Sequence, residues 1–168
     1  GQGGFGVTYL AYDEELCQEV VLKKYRWEHG SLDNEVINKR DYYKKQRKAF
    51  LNEARILSSL FDIKEVVKVL DYFEERENAY IVMEFVQGIS LRQYLESRNQ
   101  PMSFTEAWNF LLPVMEALEK VHQNKLIHRD ISPDNFIIKE DGSIKLLDFG
   151  SAREYAEEKT MTVLVKKG

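Results

Sequence analysis

The sequence predicts an α+β fold, with an antiparallel sheet and one main helix followed by a mostly helical part. Three observations predict it. Short β-rich runs come in pairs joined by polar turns. One long helical stripe separates the first pair from the second. Two helix-start signatures then follow beyond residue 88.

The first pair is Val7–Tyr12 and Glu19–Lys24, joined by the acidic turn at Asp13–Glu15, and it reads as a hairpin. A charged connector is expected from Arg26 to Asn38, then a helix from about Arg40 to Leu60. Within that helix Phe50, Glu53, Ala54 and Leu57 fall at i, i+3, i+4 and i+7, which places them on one face. Val66–Phe73 and Ala79–Phe85 form the second pair around the charged turn at 74–78. Gly88 breaks the pattern. Ser90 with Gln93 and Ser103 with Glu106 are capping boxes that open a short and a long helix. The long helix carries Trp108, Leu111, Leu112, Met115, Leu118 and His122 along one stripe, and Pro113 is expected to kink it. His122 is expected to pack at the helix end. Phe136–Ile138 and Ile144–Leu147 flank Asp141-Gly142 and predict a further hairpin.

Bulk properties exclude some classes. The chain has 168 residues and a net charge of −4, which gives no reason to expect nucleic acid as a partner. One cysteine, Cys17, excludes an internal disulfide and fits a reducing compartment. No apolar run approaches the ~20 residues that a membrane-spanning helix needs. Lys39, Arg40, Lys44, Lys45, Arg47 and Lys48 form a basic run that reads as the solvated start of the helix. A sharper reading of the same run is docking to an acidic partner or an anionic membrane.

The chemistry concentrates in His128-Arg-Asp-Ile-Ser-Pro-Asp-Asn135 and Asp148-Phe-Gly150. Asp130 lies five residues before Asn135, and Asp148 thirteen residues further on. That is one base and two oxygen ligands for a hard cation, on loops beside short strands. Ahead of them come Gly1-Gln-Gly-Gly-Phe-Gly6, Val20-Val-Leu-Lys23, the helix carrying Glu53, and Ala79-Tyr-Ile-Val-Met-Glu84. The glycine run by itself fits any hairpin turn. Lys23 by itself fits a lysine that snorkels from a strand. Glu53 changes that weighing, because a carboxylate on an apolar helix face needs a cation.

These five ordered motifs resemble the glycine loop, strand lysine, paired glutamate, catalytic loop and D-F-G of protein kinases. The His-Arg-Asp-Ile-Ser-Pro-Asp-Asn form resembles that of eukaryotic-like bacterial serine/threonine kinases. The resemblance implies a bilobal fold, with a small lobe at 1–86 and part of a helical large lobe at 87–168. It implies ATP and Mg²⁺ as cofactors and a protein Ser/Thr substrate. A whole kinase domain has more strand before the glycine loop and more helices after the activation segment. The 168 residues are therefore expected to hold an incomplete catalytic domain with uncovered apolar surface. A cytoplasmic location is expected for the domain, and a membrane anchor outside these residues is compatible with it.

Residue by residue, the resemblance implies Asp130 as base and Asn135 and Asp148 as Mg²⁺ ligands. Lys23, paired with Glu53, would meet the α- and β-phosphates. Glu35 is a poorer partner because it lies outside the apolar stripe. Gly1, Gly3, Phe5 and Gly6 would cover the nucleotide. Val21 and Ile137 would sandwich adenine, Met83 would be the gatekeeper, and Glu84 and Val86 would offer backbone groups. Arg129 would hold the activation segment, where Thr160 and Thr162 are candidate phosphosites ahead of Tyr155, with Arg153 as a second cation. His128, Phe149, Leu57 and Val69 look like the kinase regulatory spine.

Three departures stand out. Thr8 replaces the usual Val, the Lys23–Glu53 separation is long, and Ser132 takes the place of the usual Lys that touches the γ-phosphate. Two other readings use the same residues. One is a pseudokinase scaffold. The other is an aminoglycoside-type phosphotransferase, against which Arg129 and Asp148-Phe149-Gly150 argue.

Overall fold

A computed structural model describes residues 2–3, 6–25, 36–76 and 78–154. Five strands form one antiparallel sheet: β1 (Gln2–Gly3), β2 (Gly6–Asp13), β3 (Gln18–Tyr25), β4 (Val69–Glu75) and β5 (Asn78–Glu84), in the order β1-β2-β3-β5-β4. The expected hairpins are both present. Val21 pairs with Leu10 on one side and with Met83 on the other, so β3 is central. Period-two burial in β5 turns Ala79, Ile81 and Met83 inward.

Helix α1 spans Val36–Ser59 and packs against β4 and β5. Its expected face is the buried one: Phe50, Glu53, Ala54 and Leu57 are all buried. Each large apolar side chain on that face contributes roughly 1.5–3 kcal/mol on burial. The Tyr25 ring meets Phe50 with centroids 5.7 Å apart, which ties α1 to the end of β3.

After β5, residues 85–88 lead to β6 (Ile89–Ser90) and α2 (Leu91–Glu96). Ser90 and Gln93 form the expected capping box, and so do Ser103 and Glu106 at the start of α3 (Phe104–Gln123). Gly88 is required by close approach. A Cβ there would lie 2.2 Å from the Ile138 carbonyl oxygen and 2.8 Å from Ile137 Cγ2. Backbone cannot yield as a flexible side chain can, so Gly88→Ala should destabilise the chain by about 1–3 kcal/mol. Urea unfolding should show a lower midpoint at an unchanged slope.

Helix α3 runs uninterrupted through Pro113, but the stripe read from the sequence is not its packed face. Trp108, Leu111, Leu112 and Met115 are exposed, and so is His122. The packed face is Val114, Ala117 and Val121, with Phe110 and Leu118 beside it. This helix is apolar on more than one side, so periodicity alone does not say which side meets the core.

Beyond α3 come β7 (Leu126–Ile127), β8 (Phe136–Ile138), β9 (Ile144–Leu146) and β10 (Arg153–Glu154). Strands β6, β8 and β9 form one small sheet, and β7 pairs with β10. Gly142, at φ +78°, makes the predicted β8–β9 turn. There Asp141 accepts from the Ser143 hydroxyl and backbone N–H, which hold its carboxyl down to about 2. The stretch 65–67 bonds directly to β9: the Leu146 N–H donates to the Glu65 carbonyl, and the Val67 N–H to the Leu146 carbonyl. No helix among the described residues is long and apolar enough to cross a membrane.

Candidate active site

Lys23 projects from the central strand into the interior. Its Nζ donates to both carboxylate oxygens of Glu53, at 2.8 and 2.9 Å, and to Asp148 Oδ1 at 3.1 Å. One ammonium thus joins β3, α1 and the segment after β9. Glu53 is only 3% exposed, whereas the Asp148 side chain is 44% exposed and opens outward. Residues 36–53 of the long Lys23–Glu53 separation lie within α1 itself, and Glu35 lies outside the described residues.

The charges respond to this sharing. Burial pushes the Lys23 ammonium down, but the two carboxylates outweigh it and its pKa is raised. Burial pushes the Glu53 carboxyl up, and a lysine it shares with Asp148 does not fully compensate. Burial also works to raise Asp148, yet Lys23 and the Gly150 N–H hold its carboxyl below the usual range. That N–H donates to Asp148 Oδ1 at 3.2 Å.

The loop from His128 to Asn135 is held at several points. His128 is 1% exposed. Its Nδ1 accepts the Asp130 backbone N–H at 3.3 Å, so Nε2 carries the proton and donates to the Leu147 carbonyl at 2.9 Å. Burial lowers the His128 pKa and keeps the ring neutral. The ring meets Phe149 edge-on at 4.5 Å, and Phe149 is fully buried with Leu57 in the same core, against which Val69 packs.

Pro133–Asn135 form a 3-10 turn, and the Leu147 N–H donates to the Asn135 carbonyl at 2.8 Å. The Asn135 amide donates to the Asp130 carbonyl at 2.8 Å and to Asp130 Oδ2 at 3.1 Å. Arg129 and Asp148 both adopt left-handed backbone, at φ 70° and 51°. Such geometry costs a non-glycine residue of order 1 kcal/mol or more and is concentrated at functional sites.

Asn135 therefore turns its N–H₂ toward Asp130, which leaves its amide oxygen for a cation, and Asp148 adds an ionised carboxylate. No group of three or more His, Cys, Asp or Glu able to hold a metal occurs among the described residues. Two oxygen ligands fit Mg²⁺ bound together with phosphates, because that ion is seldom held by an all-protein cage.

The other expected residues lie around this centre. Val21 and Met83 are neighbours across β3 and β5, and Ile137 is in β8. Glu84 ends β5 and Val86 follows in the connection. Gly3 and Gly6 face each other across β1 and β2. Gly1, Phe5, Tyr155, Thr160 and Thr162 lie outside the described residues. Arg153 Nη1 donates to the Ala152 carbonyl at 2.6 Å.

Some contacts were not read from the sequence. Arg92 Nε reaches both oxygens of Asp134 at 2.7 and 2.9 Å, tying α2 to the 3-10 turn. Lys145 reaches Glu84. The sequence signal for the second is the same as for Lys23, a lysine inside an apolar strand.

The chain matches the protein kinase domain family over residues 1–167. It is 39% identical over 152 residues to serine/threonine-protein kinase PrkC of Bacillus subtilis, covering 90% of this chain and 22% of that protein. Against serine/threonine-protein kinase C of Synechocystis it is 34% identical over 158 residues, covering 92% and 28%. It thus spans well under half the length of these relatives. The solved structure of the PpkA-294 apo form superposes with a TM-score of 0.74 at 31% identity, over 90% of this chain and 56% of that one. The ordered motifs, a strand lysine seated on a helix glutamate, and these matches agree: the chain has the protein-kinase fold and belongs to the protein kinase domain family.

Proposed function

We propose that this chain is the catalytic region of a serine/threonine protein kinase that transfers the ATP γ-phosphoryl group to a protein hydroxyl. The observation that carries the reading is the Lys23–Glu53–Asp148 junction, which brings the strand lysine, the helix glutamate and the D-F-G aspartate within 3.1 Å. In this reading residues 1–86 are the small lobe and residues 87–168 belong to the large lobe.

Each residue then has a task. Asp130 orients the attacking hydroxyl and accepts its proton, with Asn135 fixing the carboxylate. Lys23, oriented by Glu53, binds the α- and β-phosphates. Asn135 and Asp148 hold Mg²⁺, which when bound neutralises charge on the phosphates. Val21 and Ile137 enclose adenine, Met83 backs it, and backbone groups of Glu84 and Val86 meet its edge. Gly1, Gly3, Phe5 and Gly6 cover the phosphates. Arg129 receives the activation segment, with Thr160 or Thr162 phosphorylated. The substrate is a protein rather than a nucleic acid, and the domain works in the cytoplasm.

The test is calorimetric titration of the folded chain with Mg·ATP. Binding is expected, and Lys23→Ala and Asp148→Ala should each weaken it at least tenfold. A folded chain that binds no Mg·ATP would overturn the assignment of this centre.

A further inference from the structure

The basic face of α1 has no task in the chemistry above. Lys44, Lys48 and Arg55 fall within about 40° of one another around the helix, and Lys45 flanks them. All four are exposed, and Ala49 and Asn52 complete the face. Glu53 is the one carboxylate between residues 44 and 59, and it is buried against Lys23. Among the described residues no carboxylate reaches Lys44, Lys45, Lys48 or Arg55. Arg47 differs, because it is partly buried and meets Glu74 of β4 at 3.3 Å.

Left alone, this face works against its own helix. Lys44 and Lys48 stand four residues apart, where like charges destabilise. A solvated helix face ordinarily mixes signs, with carboxylates four residues from lysines. This one carries cations only, so a bound anion would relieve their repulsion.

Shape and surrounding charge select the kind of anion. Lys44 to Arg55 spans about 16 Å along the helix axis, the length of roughly five residues of extended chain. On the β4 side stands Glu74, held by Arg47, with Asp71 and Glu75 on the same strand, all three exposed. The chain as a whole is acidic, with a net charge of −4. A wide anionic plane laid against α1 would meet those carboxylates, whereas a narrow segment running along the helix avoids them. Alternate side chains of an extended segment lie ~7 Å apart, close to the ~6 Å rise from Lys44 to Lys48. We propose that Lys44, Lys48 and Arg55 of α1 dock an extended acidic segment of a partner protein, with Glu or Asp at every second position. The two lysines take successive carboxylates, and the Arg55 fork takes one further along. Docking here is independent of the nucleotide assignment.

The test is fluorescence anisotropy of a labelled peptide of alternating Glu and Ser, titrated with the folded chain at low salt. Saturable binding is expected, and added salt should weaken it. Lys44→Gln/Lys48→Gln/Arg55→Gln should bind roughly tenfold or more weakly. Lys64→Gln/Lys68→Gln/Lys120→Gln removes as much charge from exposed positions elsewhere, and should stay within about twofold of the unaltered chain. The urea midpoint of the first variant should equal or exceed that of the unaltered chain, because repulsion is relieved. No saturable binding would mark the face as merely solvated and overturn the proposal. Equal weakening in both variants would overturn it in favour of bulk charge attraction. A lowered midpoint would overturn it by making the three cations structural. Tighter retention on vesicles of phosphatidylserine and phosphatidylcholine than on the peptide, lost in the first variant, would replace the protein partner with a membrane.

Discussion

Asp130→Asn is expected to lower turnover by roughly 10²–10⁴-fold, the usual range for loss of a general base. The substitution is close to isosteric. The Asn135 amide reaches both the Asp130 carbonyl and Asp130 Oδ2, and an asparagine oxygen can still accept the second bond. The loop should therefore keep its shape, held also by His128 and the 3-10 turn. What is lost is the charge and the ability to take a proton. Among the described residues no donor reaches Asp130 Oδ1, so in the proposed mechanism it is the oxygen left for the substrate hydroxyl. Steady-state phosphorylation of a serine-containing protein, using a protein that contains this chain, reads the effect. Calorimetry with Mg·ATP should show affinity within about threefold of the parent, since Asp130 is not assigned to the nucleotide. Turnover reduced less than tenfold would remove Asp130 from the role of base.

Lys23→Met should destabilise the chain by about 3 kcal/mol at pH 8, the lower end of what breaking a buried pair costs. The cost comes from Glu53, which would be left at 3% exposure without its cation. Its carboxyl is already raised by burial against the opposing effect of Lys23, and the variant removes that opposition. The sign follows from linkage. A group whose folded pKa lies above its unfolded value favours the folded state at low pH and loses that contribution as pH rises through the folded pKa. The stability deficit relative to the parent should therefore shrink as pH falls from 8 toward 5, as Glu53 takes up a proton. Adding Glu53→Gln should remove this pH dependence. Urea unfolding at both pH values measures it, and a deficit that grows on acidification would show that Glu53 is not the group responsible.

The legible part of this protein was local. Hairpins around 13–18 and 74–78, the capping boxes at Ser90 and Ser103, and the Asp141-Gly142 turn depend on neighbouring residues, and all appear where expected. The buried face of α1 was also readable, because a carboxylate on an apolar stripe is a conflict that only a partner can resolve. The packed face of α3 was not readable. A helix with apolar residues on several sides fits more than one environment, and Val114, Ala117 and Val121 were selected only by what lies opposite them.

By itself, the sequence determined the order of elements, the ordered motifs of the family and which residue types could carry phosphoryl transfer. Tertiary structure alone decided which charges share a site. Lys23 meets Asp148 across 125 residues, and Lys145 meets Glu84 across 61. No periodicity or local propensity encodes such a separation. It follows from the packing of two sheets through the stretch 65–67, which brings β9 beside the end of β5 and places both lysines where burial makes a carboxylate partner necessary.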